Sequence, residues 1–146
     1  MMKYSIALYA ALLSCGMANQ ATAADFDGRQ PLVCAAVQSF ECETDAECEA
    51  AKLEDINVPR FLRLSFNEKV IRSKRPNGDV RTTPIEFQRD TGDRLILHGT
   101  EQGEEGIFGW DMVIAQADGR MTLAIAGNAL AVVVFGACTP VDLTGK

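Results

Sequence analysis

Phe108, Trp110, Met112 and Ile114 stand at every second position of one segment, and Gly109, Asp111 and Ala115 share the opposite parity. Side chains alternate between the two faces of a strand, so this pattern specifies a strand with one apolar face. The pattern recurs. Leu62, Leu64 and Phe66 alternate in one run, and Met121, Leu123 and Ile125 alternate in another. Between the runs stand turn sequences: Arg-Pro-Asn-Gly-Asp at 75–79, Asp-Thr-Gly-Asp at 90–93 and Ala-Asp-Gly-Arg at 117–120. Asn-Gly and Asp-Gly adopt positive φ at little cost and so favour tight reversals.

Further strands are expected at 32–40, 70–72, 80–88, 95–97 and 130–135. Ile85 and Phe87 share one side of the strand at 80–88, and Pro84 marks an edge or bulge there, because proline donates no ladder hydrogen bond. The nearly unbroken apolar run 130–135 reads as a strand buried on both sides, or as one closing a barrel. Together these make about eight short strands joined by short turns, the rhythm of an antiparallel meander. One flat sheet of that size leaves two edges and an apolar face open, so the expected fold is all-β, a small antiparallel meander barrel or a sandwich. At most one short helix is expected, over 46–53, where Ala, Glu and Lys dominate and Pro59 soon follows.

Before the strands, residues 1–24 carry Lys3, an apolar run from Ile6 to Leu13, and a small-residue end, Ala21-Thr22-Ala23-Ala24. That order is the pattern of a cleaved secretory leader, with the mature chain starting at Ala24 or Asp25. Residues 25–146 then form a single β domain. The alternative is lipidation at Cys15, within Leu12-Leu13-Ser14-Cys15-Gly16, which would tether the same domain to a membrane surface. The expected location is periplasmic or secreted, with membrane attachment only through Cys15.

Export turns Cys34, Cys42, Cys48 and Cys138 into disulfide candidates. Their spacing is not that of a zinc site, and no Cys-x-x-Cys redox pair occurs. Four cysteines allow three pairings. Cys42–Cys48 with Cys34–Cys138 is favoured, because a short loop brings the first two within bridging distance and the second pair joins the first strand to a point just past the last. Cys48–Cys138 is the main competitor.

The chain carries a net charge of −6, one unit more negative once Lys3 leaves with the leader. Phosphate backbones repel such a surface, so nucleic acid is not expected as a partner. Acidic residues crowd 41–55 and basic ones 60–81. The two read as solvated faces able to attract each other. Arg60, Arg63, Arg72, Lys74 and Arg75 are also a candidate anion-binding patch.

No catalytic residue, metal ligand set or cofactor motif stands out. His98 is the one histidine and no Gly-x-Ser-x-Gly occurs. Trp110 with Phe108 and Met112 fills a core, or lines a ligand cavity if the barrel is wide enough. The expected role is a non-enzymatic, exported binding or accessory module of the cell envelope, acting on a protein partner in the manner of an inhibitor. The alternative is a carrier of a small apolar ligand.

Overall fold

The computed structural model describes residues 23–103 and 106–141. The expected leader through residue 22, with Cys15, lies outside the described residues. A short 3-10 turn, Ala23–Phe26, precedes ten strands: β1 (Leu32–Glu43), β2 (Glu49–Ala51), β3 (Phe61–Ser65), β4 (Val70–Lys74), β5 (Val80–Pro84), β6 (Phe87–Asp90), β7 (Arg94–Gly103), β8 (Gly106–Ala115), β9 (Arg120–Ala126) and β10 (Leu130–Pro140). All pairings are antiparallel, in the order β5-β4-β3-β1-β10-β9-β8-β7-β6, with β2 paired to the free flank of β1.

That order starts and ends on neighbouring pieces of chain. β5 and β6 are separated only by Ile85 and Glu86, so the two edges of the sheet meet where the segment bends. Ile85 N–H donates back to the Lys69 carbonyl, and Glu86 N–H donates forward to the His98 carbonyl. The segment thus hands its pairing from β4 to β7, and the sheet curls into the expected barrel-like form.

The concave face carries the core. Leu32, Cys34, Leu64, Leu95, Leu97, Met112, Ile114 and Val134 have no accessible surface. Each large apolar side chain buried this way contributes about 1.5–3 kcal/mol. One end of the barrel, where β1 begins and β10 finishes, is filled by the 3-10 turn. Phe26 packs there against Gly119, whose φ of +72° and closeness to the Cys138 carbonyl both exclude a side chain.

Both favoured disulfides are present. Cys34 and Cys138 stand directly opposite each other on β1 and β10, and Cys42–Cys48 closes the connection from β1 to β2. Such bonds belong to an oxidising compartment.

Four local expectations are corrected. The segment 46–53 forms no helix: Glu49–Ala51 is strand β2, held to Ser39–Glu41, because the Cys42–Cys48 link folds it back onto β1. The last strand runs on to Pro140, so Cys138 lies inside it rather than past it. Gly136 sits within the strand where a Cβ would run into the Ala35 carbonyl, at the β1 irregularity between Ala36 and Gln38. The run 130–135 is not buried on both sides: Val132 and Val134 point inward, while Phe135 is exposed and meets Phe40 edge to face at 6.2 Å. Ile85 and Phe87 do not behave alike, since the bend between β5 and β6 buries Ile85 and leaves Phe87 exposed.

Chain-entropy arithmetic assigns the two disulfides unequal weight. Removing Cys34–Cys138, with a sequence separation of 104, is expected to cost about 5 kcal/mol, and removing Cys42–Cys48, with a separation of 6, about 2 kcal/mol. Denaturant midpoints of Cys34→Ala/Cys138→Ala and Cys42→Ala/Cys48→Ala proteins check the order.

Surface carboxylates set the acid response. Hydrogen bonds from Arg72 and then Ser65 hold Glu68 down to about 2. Glu54, Glu86, Asp90 and Asp118 are also lowered, chiefly by hydrogen bonds from Arg60, Thr100, the Gly92 amide and the Arg120 amide respectively. A carboxylate lowered in the folded chain gives up its proton more readily than in the unfolded one, so unfolding in acid takes up protons. Stability should be level above about pH 4.5 and should fall steadily toward pH 2. Denaturation midpoints measured across that range check it.

Candidate ligand cavity

A partly open cavity of about 200 Å³ lies inside the barrel. It sits toward the end where β4, β7 and β9 finish and β5, β8 and β10 begin, opposite the plug at Phe26. Leu62 on β3, Ile71 on β4, Met112 on β8, Leu123 on β9 and Val132 on β10 form its apolar walls. Each follows the inward parity of its strand. Phe108, Trp110 and Met112, the cavity residues expected from sequence, all line it.

Two glycine contacts set the aromatic rings. Gly99 on β7 is opposite Trp110 on β8, and a Cβ there would lie 2.5 Å from Trp110 Cζ2 and 2.6 Å from the Pro84 carbonyl oxygen. Without a side chain at 99, the indole can lie flat against β7 and the bent segment can approach. Phe108 lies between Gly103 and Gly127, each of which would put a Cβ 2.6 Å from its ring.

One wall is polar. β5 runs beside β7, but no backbone ladder joins them among the described residues; side chains close the gap. Glu101 continues the inward row of Leu95, Leu97 and Gly99 along β7. Its Oε1 meets the guanidinium of Arg81 and lies 3.2 Å from that of Arg75, while its Oε2 accepts from Thr83 Oγ1 at 3.1 Å. Side-chain exposures of 21–27% put this group at the rim of the interior. Charge-assisted bonds are stronger here than on an open surface.

The loop between β2 and β3 covers part of the cavity. Leu53 and Val58 are buried, and Ile56, Asn57, Val58 and Pro59 line the cavity. Val58 N–H donates to the Leu53 carbonyl at 2.9 Å, and Asp55 N–H donates to the Lys52 carbonyl at 3.0 Å, so the loop is internally braced. Arg60 Nη2 on its far side donates to Glu54 at 2.6 Å.

The structure separates the five basic residues of the candidate patch. Arg75 points inward to Glu101, and Arg60 pairs with Glu54. Arg63, Arg72 and Lys74 stand together on the outer face of β3 and β4, with Arg63 and Arg72 in cross-strand register and Arg72 bonded to Glu68. His98 lies on the outer face of β7, its Nδ1 3.0 Å from Asp111 Oδ1. Among the described residues, no group of three or more His, Cys, Asp or Glu is arranged to hold a metal ion. Glu101, Arg81, Thr83 and Asn57 also line the cavity, and neither charge nor turn pattern in the sequence marks Thr83 or Asn57 as doing so.

Gly99→Ala should force Trp110 and the Pro84 segment apart, lowering stability by about 1–3 kcal/mol and changing the Trp110 emission. Gly109→Ala should change neither, since nothing lies within 4 Å of a Cβ there. Denaturant melts and fluorescence spectra of the two proteins make the comparison. Comparison of the chain with protein-family models, with curated proteins and with solved structures returned no match.

Proposed function

We propose that this protein is an exported, periplasmic binding protein that carries a small, mainly apolar molecule inside its barrel. The observation that carries the reading is the cavity itself. A solid-cored barrel would fill that space with side chains; here apolar residues from five strands and the loop 56–59 surround about 200 Å³. Binding sites for small molecules are concave, mostly apolar and furnished with a few fixed polar groups. The polar wall at Glu101 and the ring of Trp110 supply those groups. Two disulfides favour an oxidising compartment, and the leader-like sequence at 1–24 favours export. A binding role is favoured over an enzymatic one because the single histidine faces Asp111 on the outer surface, away from the cavity.

A second reading, an accessory module docking an acidic protein partner, has its own support. Phe61 and Val80 are 59% and 77% exposed beside Arg63, Arg72 and Lys74 on a shallow outer groove. Binding there would weaken steeply with salt, and binding in the cavity would not.

Titration with a small apolar molecule should change the Trp110 emission saturably at low and high salt alike. Val132→Phe, which places a ring in the cavity, should abolish the response while the far-ultraviolet dichroism stays that of the parent. An unchanged response in the Val132→Phe protein would move the site elsewhere.

A further inference from the structure

We infer that the molecule held in the cavity is uncharged and carries a hydroxyl group on a compact apolar body, with the hydroxyl bound between Trp110 Nε1 and Asn57 Oδ1. The inference rests on the cavity being the binding site. Trp110 is only 4% exposed, yet its Nε1–H has no hydrogen-bond partner among the described residues. Asn57 Oδ1 is likewise buried and without a partner among them. Both residues line the same cavity. Buried polar atoms are nearly always hydrogen-bonded, and one left unmatched is destabilising, so two in one cavity point to a ligand that serves them.

Their chemistry selects the group. An indole N–H only donates, and an amide oxygen only accepts. A hydroxyl accepts and donates, so one atom of the ligand can satisfy both. A carboxylate only accepts, and would leave Asn57 Oδ1 unmatched. An ammonium only donates, and would leave Trp110 unmatched. Glu101 is not the anchor, because its two oxygens are already engaged by Arg75, Arg81 and Thr83.

Asn57 is held where it is needed. Its φ of +51° suits asparagine better than most residues, and its N–H donates to the Glu54 carbonyl. The left-handed turn accounts for the residue type but not for an amide oxygen buried against the cavity. Size sets the body: a dry cavity of about 150 Å³ takes benzene, so this one, at about 200 Å³, takes a single ring or short branched chain with its hydroxyl.

The test is calorimetric titration of the folded protein with p-cresol, toluene and p-toluate, which share one ring and differ in the polar group. The expected result is that p-cresol binds about tenfold or more tightly than toluene, with p-toluate weakest. Asn57→Gly, which tolerates the positive φ and removes the acceptor, should erase most of that preference and leave toluene binding intact. Trp110→Phe should do the same from the donor side. Equal binding of p-cresol and toluene, or tightest binding of p-toluate, would overturn the hydroxyl assignment and leave the cavity as a binding site. Failure of all three to bind would overturn the cavity reading as well.

Discussion

Among the described residues, the curled sheet has one seam that no ladder closes, and the interior depends on it. No ladder joins β5 to β7 among the described residues, and Glu101 spans the gap by holding Arg75, Arg81 and Thr83. At Ile85 and Glu86 the bend transfers the chain's pairing from β4 to β7, so the two end strands of the sheet are joined there by the chain itself. The Phe26 end is packed by Leu32, Leu95, Ile114 and Met121, with Gln116 buried beside them and bonded to Asp90. At the other end the barrel is wider and partly polar, and the cavity lies there. Removing one partner of such a partly buried ion network leaves the other charges unmatched in a poorly hydrated site.

The remaining features position that wider end. The Cys34–Cys138 bond locks β1 to β10 near the plugged end, where the register is already fixed by eleven paired positions. The Cys42–Cys48 bond acts at the other end, folding β2 back onto β1 and so aiming the loop 52–59 across the cavity. Ser39 helps from inside the sheet, donating its hydroxyl to the Ala51 carbonyl at 2.7 Å. Gly99 and Gly103 keep the walls thin enough for Trp110 and Phe108 to line the space rather than close it.

Much of the architecture was legible because period-two patterning states which side of a strand is buried. Leu62, Leu64, Trp110, Met112, Ile114, Met121 and Leu123 all face inward as their parity requires. The polar wall was not legible, because charge invites a surface reading. Arg75 follows Arg63 and Arg72 in one basic run, yet it shares parity with the inward Ile71. Glu101 likewise shares parity with Leu95 and Leu97, the one signal that marks it as inward. Local propensity misled at 46–53, where a short covalent loop and the flank of β1 outweigh helix preference. The role of Asn57 emerges only from tertiary placement, since in sequence it looks like an ordinary turn residue before Val58-Pro59.

The central claim is that the space beside Trp110 takes a ligand. Two buried methionines make it directly testable: Met112 lines the cavity, and Met121, 2% exposed, lies in the packed core below it. With both methyl groups carbon-13 labelled, their NMR shifts can be followed as toluene is added. The account predicts a saturable shift at Met112 and almost none at Met121. Equal shifts at both, or none at Met112, would contradict it.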